Sequence, residues 1–195
     1  MISTKIQGVI FDLDGTLVTS SLDFKLLRSL VGCPDSEDLL IHLNDLPADA
    51  YQKAIRLIEH HEMEDAIQAS WIDGAESLVH RLANQNTPMA IVTRNYSKAA
   101  SLKVARNNIP IDIVLTREDA PAKPDPTALL MIAEQWAIPA NNLIYVGDYL
   151  YDLQAASNAG MHSCLYVENE LPEFSTQADL ICRRFSDLYE QLERF

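Results

Sequence analysis

From Asp73 onward, short apolar runs are set between longer amphipathic segments. The runs fall at 89–92, 111–115, 143–146 and 163–166, and 8–11 supplies another near the start. None alternates strictly between apolar and polar positions. A strand with one wet face would alternate, so these runs predict strands covered on both faces, as in a parallel sheet. The spacing between them is helical. Asp125-Pro126 predicts a helix start, with Asp as N-cap and Pro in the first helical position. Leu129, Leu130, Ile132, Ala133 and Trp136 follow at helical spacing, and Pro139 marks the stop. A second helix over 152–159 ends at Gly160, a residue suited to a left-handed C-terminal cap. Strand–helix alternation of this kind predicts an α/β fold built as a Rossmann-like, doubly wound parallel sheet.

Residues 18–72 break that rhythm. The stretches 22–31, 36–44 and 48–69 are amphipathic and helical, Pro34 and Pro47 separate them, and no strand intervenes. The pattern predicts a small α-helical domain over 18–72. It would be inserted after the first strand of a core formed by 1–17 and 73–195.

Polar residues then cluster where the apolar runs end. Phe11-Asp12-Leu13-Asp14-Gly15-Thr16 follows the first run, and Thr93-Arg94-Asn95 follows the second. Lys123-Pro124-Asp125-Pro126 lies one loop beyond the third, and Gly147-Asp148-Tyr149-Leu150-Tyr151-Asp152 follows the fourth. Open α/β sheets bind ligands outside the carboxyl ends of their strands. Residues far apart in sequence are therefore expected in one crevice.

Such a crevice would hold four carboxylates, one lysine and one hydroxyl. Carboxylates this crowded cannot all ionise without a cation, because like charges raise one another's pKa. Oxygen ligands favour a hard ion such as Mg²⁺, with Asp12 and Asp148 as side-chain ligands. In an extended segment Asp12 and Asp14 point the same way, roughly 6–7 Å apart. A phosphoryl group between them would meet Asp12 as nucleophile and Asp14 as proton donor, then base. That division needs Asp14 raised in pKa while the metal keeps Asp12 low. Thr93, with nearby N–H groups at a helix N-terminus, Arg94 beside it and Lys123 would bind the phosphate. Asp152 would hold a metal-bound water or pair with Lys123.

Composition narrows the partners. The 195 residues are 48% hydrophobic and 22% charged, the profile of a globular chain with one good-sized core. Fifteen basic residues against 28 acidic ones give a net charge of -13, which repels nucleic acid and anionic membrane. No apolar run nears the roughly 20 residues needed to span a bilayer. Cys33, Cys164 and Cys182 are scattered, without a Cys-x-x-Cys pair, and the N-terminus is a poor secretion signal. A reduced, cytoplasmic setting with buried thiols is expected. His42, His60 and His61 read as a polar helix face, because no second ligand set has metal-binding spacing. Trp71 and Trp136 read as packing residues, as do Tyr149 and Tyr151, and Arg183-Arg184 as a solvated pair.

At its four polar segments the sequence resembles the haloacid dehalogenase superfamily, in particular its phosphoglycolate-phosphatase-like branch. Asp12 and Asp14 match an Asp-x-Asp-Gly-Thr motif, Thr93 the second motif, Lys123 the third, and Asp148 with Asp152 the fourth. The resemblance covers nearly the whole chain. It implies Asp12 as nucleophile, Asp14 as acid/base, and Mg²⁺ held by Asp12, Asp148 and the Asp14 carbonyl. It also implies that 18–72 is a cap closing over a small phosphorylated substrate. Three rivals share the fold. A sugar phosphomutase uses the same pair, but such relatives tend to carry an acidic residue where Gly147 stands. A dehalogenase lacks the second carboxylate, present here as Asp14. A non-catalytic binding protein would have lost a key residue, and none is missing.

Overall fold

The computed structural model describes residues 5–193; 1–4 and 194–195, the outer ends of the predicted core, lie outside the described residues. Six parallel strands form one sheet: β1 (Gly8–Phe11), β2 (Met89–Val92), β3 (Ile113–Leu115), β4 (Leu143–Gly147), β5 (His162–Tyr166) and β6 (Leu180–Cys182). Their order is β3-β2-β1-β4-β5-β6. The chain winds outward from β1 to one side and from β4 to the other, so the switch point lies between β1 and β4.

The absence of alternation in the strands has a direct cause. Val9, Phe11, Ile91, Ile144 and Val146 pack into one apolar cluster, with Leu78, Ala100 and Phe185 among its helical members. Ile10, Ala90, Val92, Leu143 and Tyr145 point the other way, into a cluster with Leu129, Ile132, Ala155 and Ala156. Both faces of the central strands β1, β2 and β4 are therefore dry. Helices α4 (Ala75–Asn84), α5 (Ser97–Arg106) and α8 (Phe185–Leu192) cover the first face, and α6 (Thr127–Trp136) and α7 (Leu150–Ala159) the second.

Several boundaries differ from the sequence reading. Helix α6 begins at Thr127, with Pro126 rather than Asp125 at the N-cap position. Asp125 still serves the helix start by accepting from the Thr127 N–H at 2.9 Å. Strand β3 starts at Ile113, because Ile109 and Ile111 turn inward to the core before the ladder begins. Helix α7 starts two residues earlier than expected, at Leu150. Strand β6 and helix α8 lie beyond the elements that the apolar pattern predicts.

Between β1 and α4 lie three helices: α1 (Phe24–Val31), α2 (Leu39–Asn44) and α3 (Ala48–Gln68). They share their own small core of Leu27, Cys33, Leu39, Leu43, Ala54 and Ile58. The buried positions of α3 are Ala54, Ile58, Glu62, Asp65 and Ala66, one stripe at helical spacing. Its first half faces α1 and α2, whereas its second half packs on α5. The stripe changes from apolar to acidic as it passes from one neighbour to the other.

Candidate active site

Register fixes the centre of the site. Phe11 pairs with Val146 across β1 and β4, so Asp12 emerges beside Gly147 and Asp148. The Asp12 N–H donates to the Val146 carbonyl at 2.8 Å, extending the ladder one residue past the strand. Asp152 comes from the first turn of α7, where its carboxylate accepts from the Tyr149 N–H at 2.9 Å. One carboxylate oxygen from each of Asp12, Asp148 and Asp152 lies within 4.8 Å of the others.

Two glycines make this approach possible. Gly15 takes a left-handed backbone (φ +73), and a Cβ there would overlap the Asp148 carboxylate. A Cβ at Gly147 would overlap the Asp152 side chain. Thr16, wholly buried, directs its hydroxyl to Asp148 Oδ1 at 3.4 Å.

Lys123 enters from the loop between β3 and α6 and is 5% exposed. Its ammonium sits 2.8 Å from Asp12 Oδ1 and donates to Asp152 Oδ1 at 2.6 Å and to the Tyr145 hydroxyl at 2.7 Å. Asp152 thus anchors Lys123, one of its two expected roles. Those two carboxylates also hold the Lys123 pKa above its ordinary value, against the opposing effect of burial.

A single lysine does not balance three carboxylates. Burial pushes the Asp12 carboxyl up to about 7, despite the opposing pull of Lys123. Burial, then repulsion from Asp12 and Asp152, pushes Asp148 up to about 8. The low Asp12 pKa expected from sequence therefore does not arise from protein groups alone. Oxygen donors in excess of local positive charge fit a hard divalent cation.

Asp14 has different partners. Its Oδ2 accepts from Asn95 Nδ2 at 2.6 Å, and its two oxygens accept from Lys103 Nζ at 2.6 and 2.7 Å. Burial raises its pKa against the pull of Lys103. Thr93 lies at the end of β2, where its hydroxyl accepts from the N–H of Asn95 at 3.2 Å and from Asn95 Nδ2 at 2.8 Å. It is not a helix cap, because α5 starts at Ser97 with Tyr96 at the cap position. The Tyr96 N–H donates instead to Glu62 of α3, at 3.1 Å.

Arg94 reaches across to the helical insertion. It donates to both oxygens of Asp38, at 2.6 and 2.7 Å, and lies over the Tyr151 ring, 4.9 Å from its centroid. Arg117 makes a second crossing, 2.6 Å from Glu62. Lys103 makes a third, 2.7 Å from Asp65. Sequence reasoning found none of these links. The only signal was faint: a lysine in register with Ala99 and Ala100 on the buried side of α5, and carboxylates on the buried stripe of α3.

The histidines of the helical insertion need one revision. Cys33, Glu37 and His42 do come within ligand reach of one another, contrary to the spacing argument. Arg28 fills that spot, however, with Nη1 3.3 Å from Cys33 Sγ and bonded to the Glu37 carbonyl, so a cation there meets a guanidinium. His60 and His61 stand on the outer face of α3 near Glu64. All three cysteines are free and buried, and no helix among the described residues is long and apolar enough to cross a membrane.

Comparison with known proteins gives a consistent result. The family profile described as haloacid dehalogenase-like hydrolase matches residues 9–166. A haloacid dehalogenase-like hydrolase domain-containing protein of Arabidopsis thaliana is 31% identical over 85% of this chain and 72% of its own length. A phosphoglycolate phosphatase of Pectobacterium atrosepticum is 29% identical over 95% of this chain and 92% of its own. A crystal structure of a hydrolase from Pseudomonas syringae superposes with a TM-score of 0.81 at 19% identity, covering 97% of this chain and 99% of that one. That last likeness concerns the fold.

Proposed function

The chain belongs to the haloacid dehalogenase-like hydrolases, and from that membership we propose that it is a magnesium-dependent phosphatase acting on a small phosphorylated metabolite. The observation that carries this reading is the unbalanced charge at the switch point, where Asp12, Asp148 and Asp152 share one lysine. A relative named phosphoglycolate phosphatase, alike over most of both chains, supports the same class of reaction.

Asp12, Asp148 and the main-chain carbonyl of Asp14 would hold the ion. Bound there, Mg²⁺ neutralises the carboxylates and the incoming phosphoryl oxygens. The remaining work falls to the protein. An Asp12 oxygen attacks phosphorus in line, and the bond to the leaving oxygen breaks. Asp14 hands its proton to that oxygen, so an alcohol departs and Asp12 carries the phosphoryl group. Asp14, now a base, takes a proton from water as it attacks phosphorus; inorganic phosphate leaves and Asp12 is restored.

Lys123 keeps a positive charge beside the reacting oxygens, held in line by Asp152 and Tyr145. Thr93 and Arg94 flank the phosphate at the end of β2. Residues 18–72 act as a cap over the core of 1–17 and 73–195, latched by Arg94–Asp38 and Arg117–Glu62, which would exclude bulk water. The mutase alternative fits less well, because an acidic side chain at position 147 would collide with Asp152.

A phosphate-release screen over sugar phosphates, nucleotides and phosphoglycolate, with and without magnesium, tests the proposal. Magnesium-dependent release by the wild type and none by Asp12→Asn is the expected result. Release that persists in Asp12→Asn, or isomer formation without release, would overturn it.

A further inference from the structure

A lysine side chain is rarely stripped of all water. The ammonium costs several kcal/mol to desolvate and stays charged inside a protein only with close acceptors. Lys103 is wholly buried. It has three N–H donors and meets three carboxylate oxygens: Asp14 Oδ1 and Oδ2 at 2.6 and 2.7 Å, and Asp65 Oδ2 at 2.7 Å. No donor is left over.

Each acceptor is fixed from its far side. Asp14 receives Asn95 Nδ2 at 2.6 Å. Asp65 receives the Ser21 N–H at 2.6 Å, the Ser21 hydroxyl at 2.9 Å and the Ser20 hydroxyl at 3.0 Å. Ser20 and Ser21 belong to the segment that leads from β1 into the insertion, and Asp65 belongs to α3, its last helix. Lys103 therefore joins the side chain of Asp14 to both the entry and the exit of the helical insertion.

We propose that Lys103 is a positioning residue for Asp14, and that Asp65 makes this positioning depend on the seating of α3 against α5. The inference rests on the phosphatase reading, in which Asp14 moves the proton. A carboxyl that must deliver a proton along one line gains from having its rotamer fixed, because small misplacements of a reacting group cost about 100-fold. Arg117, from the loop after β3, pairs with Glu62 of α3 without touching Asp14. They are latches, whereas Lys103 also orients.

Leaving-group dependence separates orientation from mere support. An alkyl phosphate expels an alkoxide and needs the proton, and general acid catalysis contributes roughly 100- to 10,000-fold there. A dinitrophenyl phosphate expels a stable phenolate and does not. kcat/KM reports the first, ester-cleaving step for both, measured on the full chain with magnesium. In Lys103→Met the ratio of alkyl to dinitrophenyl kcat/KM should fall at least about tenfold. Should that variant not fold, Asp65→Asn keeps the lysine and the volume, and its ratio should fall in the same direction by less. Equal proportional losses on both substrates, in whichever variants fold, would reduce Lys103 to structural support. A wild type that cleaves neither ester would instead sink the phosphatase reading, and this inference with it.

Discussion

Two buried lysines each bridge two carboxylates in this molecule, and the surroundings make them opposites. Lys123 joins Asp12 and Asp152 at the end of the sheet, with Asp148 as a third, unmatched charge. Lys103 joins Asp14 and Asp65 at the seam between α3 and α5, where Asn95, Ser20 and Ser21 supply further donors. At the first, carboxyl pKa values rise to about 7 and about 8. At the second, the bonds from Lys103 and Ser21 outweigh burial and bring the Asp65 carboxyl below its ordinary value, while burial still holds Asp14 above its own. The sheet end has carboxylates to spare for a cation, whereas at the seam the three donors of Lys103 are matched by three carboxylate oxygens and hold a shape.

The largest effect that tests this contrast is on turnover. Asp12→Asn removes the attacking oxygen's charge and should lower phosphate release by roughly 10,000-fold or more, while circular dichroism stays native. An equal loss from a substitution at the seam, such as Asp65→Asn, would erase the distinction between the two centres.

Stability should respond in the reverse order. Lys103→Met leaves the buried Asp65 and the partly buried Asp14 without their cation, at a cost of roughly 3–5 kcal/mol, with or without magnesium. For a chain of this size that is a fall in Tm on the order of 10 °C by calorimetry.

The third effect is the pH response of the metal-free protein. Asp12 and Asp148 have folded pKa values above the unfolded value of 3.8. Between about 4 and 8 the folded state therefore binds more protons than the unfolded state, and stability falls as pH rises through that window. Tm should drop by on the order of a few degrees from pH 5 to pH 8, and saturating magnesium should flatten the slope. A Tm that climbs over this range would mean that the carboxylates at the sheet end are already balanced.

Arg94→Ala should have the smallest effect. Its pair with Asp38 is partly exposed and is worth about 1 kcal/mol or less. A rise in KM of roughly threefold, with little change in Tm, is the expected outcome. Unchanged kcat and KM on the true substrate would remove Arg94 from the binding site.

The sheet end was legible in the sequence and the seam was not, for physical reasons. Strands such as 8–11 and 89–92 announce themselves because both faces are dry, and polar residues at their carboxyl ends converge by topology. Strand β6 leaves no clear apolar run because it has three residues, one of them the exposed Ile181 at the sheet's edge. Lys103 lies in an ordinary-looking amphipathic helix, and its partners are 89 and 38 residues away. A lysine on a helix is usually solvated, and only tertiary packing of α3 on α5 makes this one dry. Arg94 follows Thr93 in the chain, and its tie to Asp38 depends on how the insertion folds back. The proton split between Asp12 and Asp14 is expected only with a cation on Asp12, and protein groups alone leave both carboxyls raised.

Manganese(II), which takes the same oxygen ligands as magnesium and is visible by electron paramagnetic resonance, addresses the core of the account most directly. Titrated into the wild type, it should occupy one site per chain that magnesium displaces, and Asp12→Asn and Asp148→Asn should each weaken that site by at least roughly tenfold. Undiminished binding in both variants would mean that positions 12 and 148 do not share an ion.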